Sequence, residues 1–480
     1  MKDSLVNAAP TAEQPRSTPG WTVAVVACAA QFMVVLDTTI VNVALPSMRA
    51  DLHLTSAGQQ WVINAYLLSF AGFLMLGGRA GDLFGRRRMF TAGLVVFTLA
   101  GLLGGLATSG PLLIAARTFQ GLGAAFLAPA PLALINSHYA DPRTRNRAIA
   151  AWSATATAAG SCGILFGGLL TDGPGWRWVM FVNVPIGAAL VAVALRALPG
   201  DDGAGRGRAL DVPGAVLVTA ALSCASYGLS ELEGRSWASP LTGGMLALAA
   251  VLLVAFVLVE ARGEQPLMPL RIFRSRSLVL GNAAALAVGA VTTSVMYFIT
   301  LYLQHVLGYT PMRAGLAMLP LTVAIAVSSL LVRRVVQAVG ARLPLVVGWL
   351  LTAGGLLWQS RFGVDGGFVV DVLGPGVLIG LGLGTTVLPM TIAATSGVPA
   401  RDAGLASAVM NSARQMGGGL GLAALNALAG AAAVTAAATV RGYAAALTGA
   451  AGLALCAAVL ALLMPSPQPK PKPEPEPEPG

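Results

Sequence analysis

Apolar runs of about 20 residues, each long enough to cross a ~30 Å hydrocarbon layer, recur from Trp21 almost to Met464. Such runs must satisfy their own backbone hydrogen bonds, which leaves helices or a closed barrel. The 58 glycines fall largely inside the runs, against a barrel of short alternating strands and in favour of closely packed helices. Charged residues make up only 10% of the 480, and mean hydropathy is +0.74. A soluble domain carries roughly 25% charge, so a string of soluble domains is excluded.

Windows of about 19 residues mark fourteen helices. They lie near 21–46, 57–78, 89–108, 111–136, 148–171, 177–198, 211–232, 237–260, 278–304, 313–332, 343–361, 371–394, 403–429 and 443–464. An even count places both ends of this stretch on one side. With that side cytoplasmic, eighteen arginines fall in inside loops and six (Arg49, Arg177, Arg235, Arg313, Arg361, Arg441) outside. The positive-inside rule therefore predicts cytoplasmic termini. The net charge of +10 is a topology signal of this kind, and no nucleic-acid partner is expected. Residues 1–20 read as a cytoplasmic segment, and the alternating Pro and charge of 465–480 as a disordered cytoplasmic tail.

The chain echoes itself. GGRAGDLFGRRRMF after helix 2 has a degraded counterpart in LLVRRVVQAVGARL after helix 10, and RTFQGLGAA in helix 4 in LIGLGLGTT of helix 12. Both pair helix n with helix n+8. The expected units are a six-helix half at 21–198, a linker with two inserted helices at 199–260, and a second half at 261–464. Repeated halves around a central site are the plan of secondary transporters.

Charges that no loop can claim are the informative ones, because ionisable groups in hydrocarbon are costly. Asp37 is the one deep acid; Arg117 and Arg414 are the deep bases. At ~1.5 Å per residue, Asp37 lies ~13 Å inward of Pro46 and Arg117 ~9 Å inward of Pro111. Gln120, one turn further in, falls at the level of Asp37. An acid whose proton affinity is set by a nearby arginine suits proton coupling, and a structural ion pair would look the same. Gly160, Gly163, Gly167 and Gly168, at spacings of three and four, are expected to line one packing face of helix 5. Cys28, Cys162, Cys224 and Cys456 are isolated, and His53, His138 and His305 are scattered, so no metal site, cofactor or enzyme is expected. The GLGLG of helix 12 lacks the Lys and preceding strand of a phosphate loop.

These motifs together resemble the major facilitator superfamily, in its fourteen-helix drug:proton antiporter branch. LDTTIVNVALP is similar to the branch's helix 1 signature, GRAGDLFGRRR to the superfamily's loop motif, RTFQGLGAA to the helix 4 motif and WRWVMFVNVPIG to the entry of helix 6. The resemblance implies the major facilitator fold, an all-α polytopic membrane protein of two six-helix halves plus two inserted helices. It also implies proton-driven efflux of an amphipathic drug or antibiotic by alternating access. On this reading Asp37, Arg117 and Gln120 belong to proton coupling, and Gly78, Asp82, Gly85, Arg86 and Arg87 to the cytoplasmic gate. Asn42, Asn411 and Arg414 are candidates for the cavity lining. Two departures stand out: Ile164 occupies a usual proline position in helix 5, and Leu83 a usual arginine position in the loop.

The expected partners are a small lipophilic substrate, protons and the bilayer, with the protein monomeric in a bacterial cytoplasmic membrane. The Arg-over-Lys bias with Ala/Gly enrichment suggests a GC-rich bacterium. The rival on the same fold is an importer of a nutrient or metabolite, which would carry more hydrogen-bonding side chains in its helices than this Ala/Gly/Leu-rich set. A receptor or enzyme lacks support in any catalytic pattern.

Overall fold

The computed structural model describes residues 21–198, 210–233, 239–263, 266–396, 398, 403–430 and 435–464. The expected terminal segments 1–20 and 465–480 lie outside the described residues. So do Arg206, Arg208, Arg235 and Arg401 of the orientation count. The described residues are almost entirely helical and contain no strand.

The first group of helices is α1 (Thr22–Asp51), α2 (Ser56–Phe84), α3 (Arg86–Gly105), α4 (Gly110–Leu127), α5 (Ala130–His138), α6 (Pro142–Asp172), α7 (Arg177–Phe181) and α8 (Asn183–Ala197). Next come α9 (Val212–Ser230) and α10 (Pro240–Arg262). The last group is α11 (Arg276–Leu301), α12 (Pro311–Val339), α13 (Arg342–Gln359), α14 (Gly374–Thr395), α15 (Ala403–Ala429) and α16 (Ala436–Leu463). Short π-helical segments, Tyr302–Val306 and Phe368–Leu373, extend α11 and precede α14. Twelve spans, with α4 and α5 joined and α7 and α8 joined, are long and apolar enough to cross a membrane. With α13 (18 residues) and α15 (27 residues) packed among them, the bundle has the fourteen crossings expected.

The helices outrun their apolar windows. Pro46, taken above as the outer end of helix 1, lies inside α1, which continues to Asp51. The hydropathy falls at residues 47–51 because the sequence turns polar there, while the backbone stays helical until the amide of Leu52 bonds to the carbonyl of Met48. Likewise α2 continues to Phe84, and α6 begins at Pro142, capped by Asp141. The turn between α2 and α3 rests on Gly85, whose φ of 103° suits a residue without Cβ. At position 164 isoleucine supplies the amide that proline lacks, and α6 runs unbroken for 31 residues.

Within the first group α1 packs on α6, α2 on α4, and α3 on α4 and α8. In the last group α11 packs on α15, α13 on α14 and α16, and α12 on α14. The two groups meet along α2 with α15 and α6 with α12, and α9, with α10 packed on it, lies against α2 and α15 at that seam. Chain direction alternates from span to span, so the start of α1 and the end of α16 share one face, called here the terminal face. At the opposite face the groups are bonded together. The Met312 amide donates to Asp172 Oδ2 (2.8 Å), Gln304 Nε2 to the Val43 carbonyl (2.9 Å) and Asn426 Nδ2 to Gln60 Oε1 (3.1 Å).

Candidate functional site

Asp37, on α1, is fully buried and faces α4. Arg117 Nη1 donates to its Oδ2 at 2.6 Å. Gln120 Nε2 donates to Oδ1 at 2.7 Å, and Asn183 Nδ2, from the start of α8, reaches the same oxygen at 2.9 Å. One carboxylate thus collects three donors from two other helices. Gln120 also accepts from Arg117 Nη1 at 2.7 Å, so its amide is fixed with oxygen on the cation and nitrogen on the anion. The guanidinium is held further by its Nε, which donates to the Val62 carbonyl at 3.1 Å, and by the Tyr66 ring 4.3 Å from its carbon. α3 approaches over Gly101, where a Cβ would stand 3.5 Å from that of Asn183 and 3.7 Å from Gln120 Nε2.

Depth counting placed Asp37, Arg117 and Gln120 on one level, and they meet. Measured from the true helix ends, Asp37 is fourteen residues, or ~21 Å, from Asp51, and Arg117 seven residues, or ~10 Å, from Gly110. The levels agree because α1 projects beyond its neighbour. Asn183 and Tyr66 were not singled out. Asn183 stands inside the quoted WRWVMFVNVPIG run, yet a neutral amide raises no charge alarm in a hydropathy census. Two buried atoms beside the pair, Tyr66 Oη and Asn183 Oδ1, have no hydrogen-bond partner among the described residues.

The pair is buried in a low-dielectric interior, where removing one charge leaves the other uncompensated at a cost of ~3–5 kcal/mol. Neither charge can be removed in place without hydrating or re-pairing the other.

At the terminal face, Asp82 and Arg86 form an exposed bridge of 3.3 Å across one helical turn, and Arg86 Nη1 also donates to the Ala133 carbonyl at 3.2 Å. Arg87 donates to the Leu195 carbonyl of α8. A Cβ added at Gly78 would stand 3.8 Å from that of Pro129. A small cleft lined by Gly78, Asp82, Arg86 and Ala133 joins α2, α3 and α5. Asp82, Arg86 and Arg87 therefore tie α2 and α3 to α5 and α8 within the first group, while Arg79 of the same motif donates to the Pro266 carbonyl beyond α10.

The glycines of α6 do not share one face. Cβ atoms at Gly163 and Gly167 would press on Thr39, Ile40 and Val43 of α1, one at Gly168 would strike Met312 of α12, and one at Gly160 would meet nothing within 4 Å. The 160-to-168 spacing spans more than two turns, and α6 lies between two helices, so the residues divide between them. Asn42 turns back on α1, its Nδ2 donating to the Thr38 carbonyl at 2.8 Å. On α15, Asn411 Oδ1 accepts from Arg414 Nη2 at 2.9 Å, far in sequence and environment from the Asp37 cage.

A family model described as Major Facilitator Superfamily matches residues 27–422. The chain is 44% identical to the cephamycin export protein CmcT of Amycolatopsis lactamdurans, over 88% of this chain and 87% of that protein. It is 41% identical to the puromycin resistance protein pur8 of Streptomyces alboniger, over 92% and 91%. Identity to the tetracenomycin C resistance and export protein of Streptomyces glaucescens is 37%, over 82% and 73%. Among solved structures, an auto-inhibited POT family peptide transporter superposes with a TM-score of 0.68 at 17% identity, covering 92% of this chain and 96% of that one. The xylose transporter XylE from E. coli in an inward-open conformation gives 0.64 at 13%, covering 94% and 98%.

Proposed function

From the premise that the chain belongs to the Major Facilitator Superfamily and to its drug-efflux branch, we propose that it exports an amphipathic small molecule, of the antibiotic class its relatives are named for, in exchange for protons. Residues 21–198 and 261–464 act as the two halves, with 199–260 as the insertion, in a monomer whose terminal face is cytoplasmic. Asp37 takes the proton. Arg117, Gln120 and Asn183 set when it can do so.

The single observation that carries this reading is the buried Asp37–Arg117 pair, in which neutralising one partner calls for a change in the surroundings of the other. That linkage is what couples a proton to alternating access, since each event changes the cost of the other. The bonded opposite face and the terminal-face motif around Asp82, Arg86 and Arg87 suit the two gates of such a cycle. The sparse hydrogen-bonding inventory of the helices supports a lipophilic cargo over a sugar-like nutrient.

Flux into inverted proteoliposomes tests the proposal. Cephamycin, puromycin and tetracenomycin C, the compounds named for the relatives, serve as probes. One pH unit supplies ~1.4 kcal/mol, a tenfold accumulation ratio for one proton exchanged with a neutral molecule. Imposing 100 mV adds ~2.3 kcal/mol per net charge moved. Accumulation against a gradient that vanishes with protonophore supports proton-coupled export. Uptake driven in the opposite orientation supports the importer, and flux indifferent to pH refutes the coupling.

A further inference from the structure

Arg414 is the other arginine deep in the bundle, but its surroundings are the reverse of those of Arg117. It lies eleven residues from Ala403 and fifteen from Ala429, hence ~16 Å and ~22 Å from the two ends of α15. It is exposed there. An arginine turned to lipid at mid-helix is costly, so an exposed one faces a water-filled cavity in the bundle. Its neighbours on the same helical face agree. Gly404, Ser407 and Arg414 are exposed and Asn411 is half-exposed, at spacings of three and four, with the small Ala408 beside them. Towards the opposite face the stripe ends. Gly417 lies against Leu286 of α11, Gly418 against Thr293 and Leu67, and Gly419 against Leu68 of α2. The cavity therefore opens to the terminal face, and Arg414 stands near its closed end, at the mid-membrane level where transporter cargo binds.

The chemistry at that level is one-sided. Asn411 occupies one of the five N–H donors of Arg414, and among the described residues the structure offers it no carboxylate. The one deep acid, Asp37, is spent on Arg117, Gln120 and Asn183. A planar guanidinium with most of its fork unused matches a carboxylate in bidentate geometry. We propose that Arg414 is the anion-binding residue of the central cavity, oriented by Asn411, and that the cargo is an amphiphile bearing a carboxylate. This rests on the export reading for the word cargo only; the binding preference stands apart from it. A carboxylate leaving against an entering proton would move two charges, so each 100 mV would change the accumulation ratio about 2,000-fold instead of about 50-fold for a neutral compound.

The test uses the purified full chain and two probes with the same fluorophore and alkyl chain, dansyl-norleucine and its methyl ester. Wild type is expected to bind the carboxylate saturably and about ten- to a hundredfold more tightly than the ester, as hydrogen bonds to a charged group imply. Arg414→Gln should bring the ratio to within about twofold of unity, and Arg414→Lys should keep part of it. Asn411→Asp keeps the arginine but fills its fork with a carboxylate in place, and should abolish the preference as well, which covers the case where Arg414→Gln does not fold. Equal affinity for the two probes in wild type, no saturable carboxylate binding, or an unchanged ratio in a folded Arg414→Gln or Asn411→Asp variant would overturn the proposal. Export of neutral compounds only, with the probe preference intact, would overturn the carboxylate cargo and leave the export reading standing, whereas an intact preference with no export of any compound would overturn the export reading.

Discussion

Replacing Asp37 by Asn tests structure and coupling in one series. Asn keeps the shape but removes the charge that Arg117 meets at 2.6 Å, and it turns either an amide nitrogen or a single carbonyl oxygen towards the three donors of Arg117, Gln120 and Asn183. Arg117 would be left with the Val62 carbonyl, the Gln120 oxygen and the Tyr66 ring in a site with no access to solvent. The expected loss is ~3–5 kcal/mol, that of a buried pair broken by removing one partner. Arg117→Gln in the same background removes the stranded cation and should recover at least ~2 kcal/mol, a coupling typical of residues in one network. Unfolding of the purified protein in detergent, measured for both single variants and the double, gives the cycle. The double variant should then fold and bind drug yet fail to concentrate it under an imposed pH gradient. Additive stabilities would refute the buried-pair account. Accumulation to the wild-type ratio by the double variant would refute proton coupling through Asp37.

Other outcomes follow from the same geometry. Gly163→Ala should destabilise the α1–α6 contact by ~1–3 kcal/mol, since the added carbon presses on Thr39 and on the Leu36 carbonyl, whereas Gly160→Ala, with open space before it, should be neutral in thermal unfolding. Asp82→Asn and Arg86→Ala should leave membrane abundance unchanged, because their bridge is exposed, while lowering initial efflux rates; normal rates at normal abundance would remove the loop motif from the gate. Asp141, which caps α6, has its pKa held below the ordinary carboxylate value, chiefly by hydrogen bonds from the hydroxyl and amide of Thr144. A depressed folded-state pKa means that the cap's contribution is present above the unfolded-state value and fades as pH falls through the folded one. Asp141→Asn should flatten that acid-side dependence in unfolding curves, and an unchanged acid limb would show that the cap contributes none of it.

What could be read in the sequence was whatever carries a strong transfer free energy. The fourteen crossings and the level shared by Asp37, Arg117 and Gln120 follow from the cost of charge in hydrocarbon. Asn183 and Tyr66 complete the same cage and escaped notice because an amide or a phenol within a helix is unremarkable by hydropathy. Helix ends escaped too: the window at Pro46 marks where the residues become polar, while the backbone of α1 continues five residues further to Asp51. The division of the α6 glycines between α1 and α12 depends on which helices lie to either side, and no periodicity within one segment contains that information.

The inserted pair α9–α10 touches both groups, but on unequal terms. Towards α2 it is pinned, with Asn64 Nδ2 donating to Ser226 Oγ at 2.9 Å and Arg79 Nη1 to the Pro266 carbonyl, just beyond α10, at 2.8 Å. Towards α15 it presents Val218, Leu222 and Phe256 near Met416 and Leu420. Side chains of that kind glide past one another without severing a directional bond, and methionine accommodates the changing gaps. If the halves rock, the hairpin rides with the first as a fender and slips along the second. The added helices would then lubricate the seam that any cycle of opening must shear.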